Sequence, residues 1–366
     1  MKQYSISLLL ILLQLSSCNF TKEKALLTLL VGSYTDSPEQ GISVYRFDEN
    51  TLDFTLKSVT PIVNSSYLTL SSDNKWVYAV SEQDSARAKV VSFSFDIYTD
   101  SLKQVECKPT YGASPCYINN DDTRIYIANY GGGSLCYYQK STNGSIGQLI
   151  DVIDFNDPAA GISAAHAHCV YFSPDSSQVF VNNLGNDRIH CFDRSKNPSV
   201  LNLTTGKQAS LSLSPGNGPR HSVFSQDGSK MYLINELSGK VDVFDYRNHR
   251  LFMVQSVACD SVGGGGSADI HLSHDGKFLY GSNRLKADGI SIFKVNDNGL
   301  LAKIGYQKTG IHPRNFIITP NDHYLLVACR DNNQIEIYSR DSQSGFLKDT
   351  GKRIKLHKPV CLKWAY

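Results

Sequence analysis

The sequence predicts an all-β fold: a seven-bladed β-propeller whose ring is closed by a blade shared between N- and C-terminal strands. Three observations carry that expectation. A two-strand hairpin recurs six times with a fixed internal spacing, the copies lie 46 to 54 residues apart, and strand-like segments without partners stand at both ends of the chain.

The hairpins read YLTLSSDNKWVYAVSE, PCYINNDDTRIYIANY, HCVYFSPDSSQVFVNNL, HSVFSQDGSKMYLINE, DIHLSHDGKFLYGSNR and NFIITPNDHYLLVACR. Each joins two short β-type runs through a turn rich in Asp, Asn, Ser and Gly. The last large apolar residues before the turns are Leu70, Ile118, Phe172, Phe224, Leu272 and Ile318, and twelve residues after each come Glu82, Tyr130, Leu184, Glu236, Arg284 and Arg330. One place earlier stands Asn129, Asn183, Asn235 or Asn283 in four copies. A third alternating strand follows, such as KVDVFDY or GISIFKV, and usually a fourth, which suits one four-stranded blade. The seventh blade is split: LLTLLVGSYT and GISVYRFD lack a first strand, and the final KPVCLKWAY lacks followers. A pair of β-sandwiches is the architectural rival, and the regular spacing argues against it.

Composition narrows the partners. Of 366 residues, 36 are basic and 34 acidic, giving +2 with no concentrated charge block. Nucleic acid is therefore excluded as a main partner, because binding it takes a basic patch. The segment MKQYSISLLLILLQLSSC has a lysine, a short apolar run and small residues before Cys18. It resembles a bacterial lipoprotein signal, so residues 1–17 are expected to be a leader, Cys18 the lipidated residue, 18–25 a tether and 26–366 the propeller. On this reading the chain meets the membrane only through that lipid. Cys107, Cys116, Cys136, Cys169, Cys191, Cys259, Cys329 and Cys361 form no CxxC pair and mostly sit in apolar runs, which points to buried free thiols, with a disulfide left open for an exported chain.

Because each hairpin folds back on itself, the start of its first strand and the end of its second share one mouth of the ring. That geometry gathers His168, Arg220, His221, Asn235, Glu236, Asp269, Asn283, Arg284, Arg314, Asn315 and Glu82 into a funnel. Three arginines in one concavity suit a carboxylate or phosphate, so the expected substrate is a small anion. A structural charge network with Glu236, Asp269 and Glu82 is the alternative for the same arginines. His166 and His168 lie two apart, hence on one strand face. With no carboxylate and histidine at metal-site spacing, they are read as proton-transfer or hydrogen-bonding groups, and neither metal nor cofactor is expected. His190, His249, His271, His274, His312, His323 and His357 are read as surface or turn residues, His312 bordering the funnel. Gly263 to Gly266 is read as a rim loop.

The segments AHAHCVYFSPDSSQVFVNNLGNDRI, GNGPRHSVFSQDGSKMYLINEL, ADIHLSHDGKFLYGSNR and HPRNF, with VGSYT and ANYGGGS earlier, resemble the bacterial seven-bladed lactonase family. That family includes propeller-type 6-phosphogluconolactonases and the fungal carboxy-cis,cis-muconate cyclase. The resemblance implies a catalytic set of His168, Arg220, Glu236 and Arg284, with hydrolysis of a sugar lactone to the aldonic acid and no cofactor. Glu236 or His168 would take a proton from the attacking water, an arginine would stabilise the oxyanion, and His166, His221, Asn129, Asn235, Asn283, Arg314 and Asn315 would hold the substrate. Two rivals stand: a cycloisomerase acting on an unsaturated dicarboxylate, and a non-catalytic binding propeller. A 6-phosphogluconolactonase would work in the cytosol, so an exported chain implies a different lactone.

Overall fold

The computed structural model describes residues 26–156, 164–195 and 202–365, so the expected leader, Cys18 and the whole tether lie outside the described residues. Seven four-stranded antiparallel sheets form the chain. Numbered along the sequence, blade 1 spans 68–109, blade 2 spans 115–154, blade 3 spans 167–212, blade 4 spans 219–258, blade 5 spans 270–308 and blade 6 spans 313–355. Blade 7 is the shared one: its innermost strand Pro359–Ala365 pairs with Leu27–Ser33, followed outward by Gly41–Asp48 and Asp53–Pro61.

The middle strands of each blade are near-continuous apolar runs because both their faces pack on neighbouring blades. Tyr232, Ile234, Val241 and Val243 of blade 4, for example, share a core cluster with Leu279 and Phe293 of blade 5, all at most 1% exposed. Each such side chain taken from water stabilises the ring by about 1.5–3 kcal/mol. Tyrosines tie the blades further. Tyr78, Tyr232 and Tyr280 on second strands donate to Gly144 O, Gly299 O and Gly345 O in outer turns of the next blade, at 2.6, 2.9 and 2.8 Å. Those glycines have φ of +84°, +77° and +74°, and a Cβ on any of them would collide with Trp76, Lys230 or Phe278. Glycine is required there on both counts.

The turns between first and second strands repeat one motif. Ser71, Ser173, Ser225 and Ser273 donate to Asp73, Asp175, Asp227 and Asp275 at 2.6 to 2.7 Å, and Thr319 treats Asn321 the same way. Each hydroxyl also accepts the backbone N–H that starts the second strand, as Phe278 N does on Ser273 at 3.0 Å. Blade 2 departs from this. Its turn is two residues shorter, so its first strand runs Pro115–Asn120 and pairs Tyr117 with Ala128. The anchor expected at Ile118 is therefore displaced to Asn120, and Tyr117 occupies the place that His221 takes in blade 4. All eight described cysteines are free thiols, Cys107 exposed and seven buried.

Candidate active site

One backbone irregularity builds the mouth of the ring. In blades 2, 3, 4, 6 and 7 the first strand slips register by one residue at the same point, between Pro115 and Tyr117, Ala167 and Cys169, Pro219 and His221, Pro313 and Asn315, and Pro359 and Cys361. The skipped residues are Cys116, His168, Arg220, Arg314 and Val360. A β-bulge leaves its extra residue without a ladder partner and re-aims the side chain. Three of the five expected funnel-lining cationic or basic groups thus owe their direction to a bulge.

At the centre, Glu236 follows the second strand of blade 4. Its Oε2 accepts from Arg220 Nε at 2.7 Å, and its Oε1 lies 3.1 Å from Arg284 Nη2. The arginine side chains are 1% and 4% exposed and the carboxylate 23%, so the carboxylate alone of the three reaches solvent. Burial alone would raise the Glu236 pKa, but Arg220, Arg284 and Arg314 outweigh it and hold the carboxyl below its ordinary range. Arg220 Nη1 also donates to Ala268 O at 2.6 Å, and Arg284 Nε to Gly266 O at 2.8 Å. Burial and the nearby Arg220 bring Arg284 down to about 9, still cationic at neutral pH.

His168 is 4% exposed, and its Nδ1 is buried without a hydrogen-bond partner among the described residues. Burial and the charges of Arg220, Arg314 and Arg284 keep this imidazole neutral, its pKa well below the usual value. Its ring stands edge-on to His221 at 5.2 Å and to Tyr130 at 5.7 Å. His166 stacks flat on Tyr130 at 4.3 Å, and its Nδ1 lies 2.9 Å from Tyr130 O. Arg314 lies over the Tyr34 ring at 5.5 Å, and among the described residues its guanidinium has no carboxylate within ion-pair distance. Tyr34 in turn donates to Glu82 Oε2 at 2.9 Å.

Several expected substrate contacts are engaged elsewhere. Asn129, Asn235 and Asn283 are 0% exposed and point into their own blades. Asn129 donates to Thr110 O and Ser134 Oγ, Asn235 to Asp242 Oδ2, and Asn283 to Ser291 Oγ while accepting from Ser267 Oγ. Side chains alternate along a strand, so the residue next to a mouth-facing one faces away. His221 uses both ring nitrogens inside the protein, Nδ1 at 2.7 Å from Asp269 Oδ1 and Nε2 at 3.3 Å from Arg220 Nη1. Asn315 donates to Asp269 Oδ2 and accepts Leu362 N at 2.7 Å.

Three histidines read as surface or turn residues are tied into the structure. His271 Nε2 lies 3.0 Å from Asp269 Oδ2, His190 stacks on Phe155 at 4.1 Å, and His312, 7% exposed, lies 3.3 Å from Arg284 Nη1. Sequence reasoning also missed Tyr130 and Tyr34. Tyr130 had a signal, since it directly follows Asn129 as Glu236 follows Asn235; Tyr34 belongs to the split blade, where the ruler does not reach.

Below this layer the axis is filled. Tyr67 stacks on Tyr117 at 4.1 Å, His221 meets both rings edge-on at 6.0 and 5.3 Å, and Lys363 Nζ lies 4.7 Å over Tyr67. Among the described residues no group of three or more His, Cys, Asp and Glu side chains is arranged to hold a metal ion. The arrangement offers a solvent-reaching carboxylate, a neutral imidazole and three guanidiniums around one point, the equipment for acid–base chemistry at a carbonyl with anion stabilisation.

Known proteins give this geometry a context. A family model described as Lactonase, 7-bladed beta-propeller, matches residues 28–364. A 6-phosphogluconolactonase of Formosa agariphila is 38% identical over 338 residues, covering 87% of this chain and 94% of its own. A solved Bacteroides fragilis structure, named as a candidate 6-phosphogluconolactonase, superimposes with a TM-score of 0.90 at 45% identity, covering 94% of this chain and 99% of that one. The periplasmic gluconolactonase of Pseudomonas aeruginosa does so with a TM-score of 0.86 at 30% identity, covering 93% and 99%.

Proposed function

The chain belongs to the seven-bladed β-propeller lactonase family and is a lactone-hydrolysing enzyme; from that premise we propose that it opens a sugar lactone bearing an anionic tail to the aldonic acid. The observation that carries the proposal is the single carboxylate of Glu236 gripped by two buried arginines at the mouth of the ring.

The chemistry follows from where the charge goes. Water attacks the lactone carbonyl carbon and passes a proton to Glu236 as the new C–O bond forms. The negative charge leaves Glu236 and appears on the carbonyl oxygen, so Arg220 and Arg284 exchange one anion for another within the same reach. Fixed donors aimed at developing charge need no reorganisation, which is where most of such catalysis arises. Glu236 then returns its proton to the ring oxygen as the C–O ester bond breaks. His168, neutral and with an unpartnered nitrogen, orients the water. Protonating it would add a further cation beside Arg220, Arg314 and Arg284, which favours Glu236 as the base.

Arg314, without a carboxylate of its own, holds the anionic tail, and Tyr34 braces it from beneath. Of Arg220, Arg284 and Arg314, Arg314 alone has no carboxylate at ion-pair distance among the described residues, and an anionic substrate would supply it. Export is part of the proposal. The leader-like N-terminus with Cys18 supports it, as does likeness to a protein named for the periplasm.

Initial rates of ring opening over phosphorylated and plain sugar lactones test the whole reading, with the wild type beside Glu236→Gln. Turnover of an anionic lactone that the variant reduces to the spontaneous rate supports it. Equal rates for the two proteins overturn it.

A further inference from the structure

The two arginines that grip Glu236 are each backed in the same way by residues that share nothing else. A guanidinium carries five N–H donors and no acceptor. Arg220 Nη1 lies 3.3 Å from His221 Nε2, so that nitrogen bears the lone pair and the ring proton is on Nδ1, 2.7 Å from Asp269 Oδ1. On the other side Arg284 Nη1 lies 3.3 Å from His312 Nε2, and His312 Nδ1 faces Asp331 Oδ2 at 3.5 Å. The order carboxylate, imidazole, guanidinium, Glu236 thus occurs twice, once through blades 4 and 5 and once through blades 5 and 6. The opposite tautomer at either histidine would set N–H against N–H.

We propose that His221 and His312 are positioning residues for lactone hydrolysis, His221 locked by its hydrogen bond to Asp269 and His312 held by its backbone, so that each presents Nε2 to accept from one arginine and keeps it aimed at the reacting carbonyl. The proposal rests on reading Glu236 as the base. When Glu236 takes the proton, each arginine loses its anionic partner at the moment the oxyanion needs it. A long side chain freed of one contact would swing. The histidine and a backbone carbonyl, Ala268 O for Arg220 and Gly266 O for Arg284, hold the planar fork through that step.

The two arms differ in stiffness. Asp269 is 2% exposed and receives His221, His271, Asn315 and Phe316 N, whereas Asp331 is 38% exposed. The second arm is set by its backbone instead. His312 precedes Pro313 with φ of +61°, where a residue with a side chain is uncommon, and it is pinned by His312 N donating to Asp288 Oδ1 at 2.8 Å and Arg330 N donating to His312 O at 3.1 Å.

The test uses the full chain with His221→Leu, His221→Gln, His312→Leu and His312→Gln, beside Glu236→Gln. Glutamine can offer its oxygen to the arginine and its amide N–H to the aspartate, so it stands in for the required tautomer. Each leucine variant is expected to lower kcat roughly 10- to 100-fold with KM little changed, the His221 variant more, and each glutamine variant to recover most of the rate. In the unmodified enzyme, ¹⁵N spectra of the ring nitrogens should show both histidines protonated on Nδ1 and bare on Nε2, a readout that needs neither a variant nor turnover. Nε2-protonated rings overturn the proposal. So do leucine variants with wild-type kcat in a protein that Glu236→Gln inactivates. If Glu236→Gln keeps the wild-type rate, the base assignment has failed first, and the spectra alone still decide whether the tautomers are as described. Should a leucine variant not fold, its glutamine partner and the spectra decide the matter.

Discussion

The two ends of each first hairpin obey opposite rules. At the turn end, blades 1, 3, 4, 5 and 6 repeat one hydroxyl-to-carboxyl or hydroxyl-to-amide motif at nearly the same distance. At the mouth, the corresponding positions carry Glu82, Tyr130, Leu184, Glu236, Arg284 and Arg330, four residue types over six blades. The turn end has one task, to reverse the chain and satisfy its backbone, and one solution serves every copy. The mouth is asymmetric, and six blades place acids, bases, a tyrosine and a leucine there. Repetition within one chain therefore marks stability, and departure from it marks chemistry.

That contrast can be broken by experiment. The largest effect is expected at Glu236. Glu236→Gln should lower kcat at least about 100-fold, whereas Asp275→Asn at the turn end should leave kcat untouched. Equal losses would erase the distinction. The pH profile sharpens it: Glu236 is held below its ordinary 4.5, so kcat/KM should hold its plateau down past that pH, whereas an unperturbed histidine base would lose rate near 6.5.

Next in size is Arg314→Met, expected to cost about 10- to 100-fold in kcat/KM on a phosphorylated lactone and far less on its uncharged analogue. A uniform loss on both would move Arg314 from tail recognition to the chemical step.

Stability should respond to acid differently at the two ends. Burial and Arg220 lower His221 to about 4, and burial lowers His190 to about 4 as well, both from 6.5. Their folded pKa lies below the unfolded one, so as pH falls through 6.5 the unfolded chain takes up protons that the folded chain refuses. Stability is complete above 6.5 and declines toward pH 4, by roughly 2 kcal/mol for the buried His221. The turn aspartates, lowered from 3.8, withdraw their share only in stronger acid. Thermal melts from pH 7 to 4.5 should show the first decline, and His221→Gln should reduce it.

The smallest effect belongs to the turn. Ser273→Ala leaves Phe278 N without its 3.0 Å acceptor and should cost about 1–2 kcal/mol, read as a lower Tm at unchanged kcat.

Much of this was legible in the sequence because it is local. Alternation, turn residues and a constant spacing fix the hairpins, and two orphan ends fix the shared blade. The same geometry brought Arg220, Glu236, Arg284 and His168 to one mouth. What escaped was direction over a single residue. Asn235 and Glu236 are neighbours, yet one is enclosed in its blade and the other meets solvent, and only strand register separates them. His312 and Arg284 are distant in sequence and meet through adjoining blades, so no local pattern announces their contact. The bulge that frees Arg220 and Arg314 from the ladder leaves no composition signal beyond a proline one place earlier, and a proline there reads equally well as the start of a strand.

The stacked tyrosines under His221 make the site a cul-de-sac. Whatever comes in must turn around and depart by the same doorway, so substrate and product compete for one passage. On the proposed mechanism hydrolysis leaves a carboxylic acid next to Glu236, which has its own negative charge back; once that acid releases its proton to solvent, two anions crowd a grip built for one. Ejection is thereby written into the stoichiometry of the pocket: the product is repelled by the group that made it.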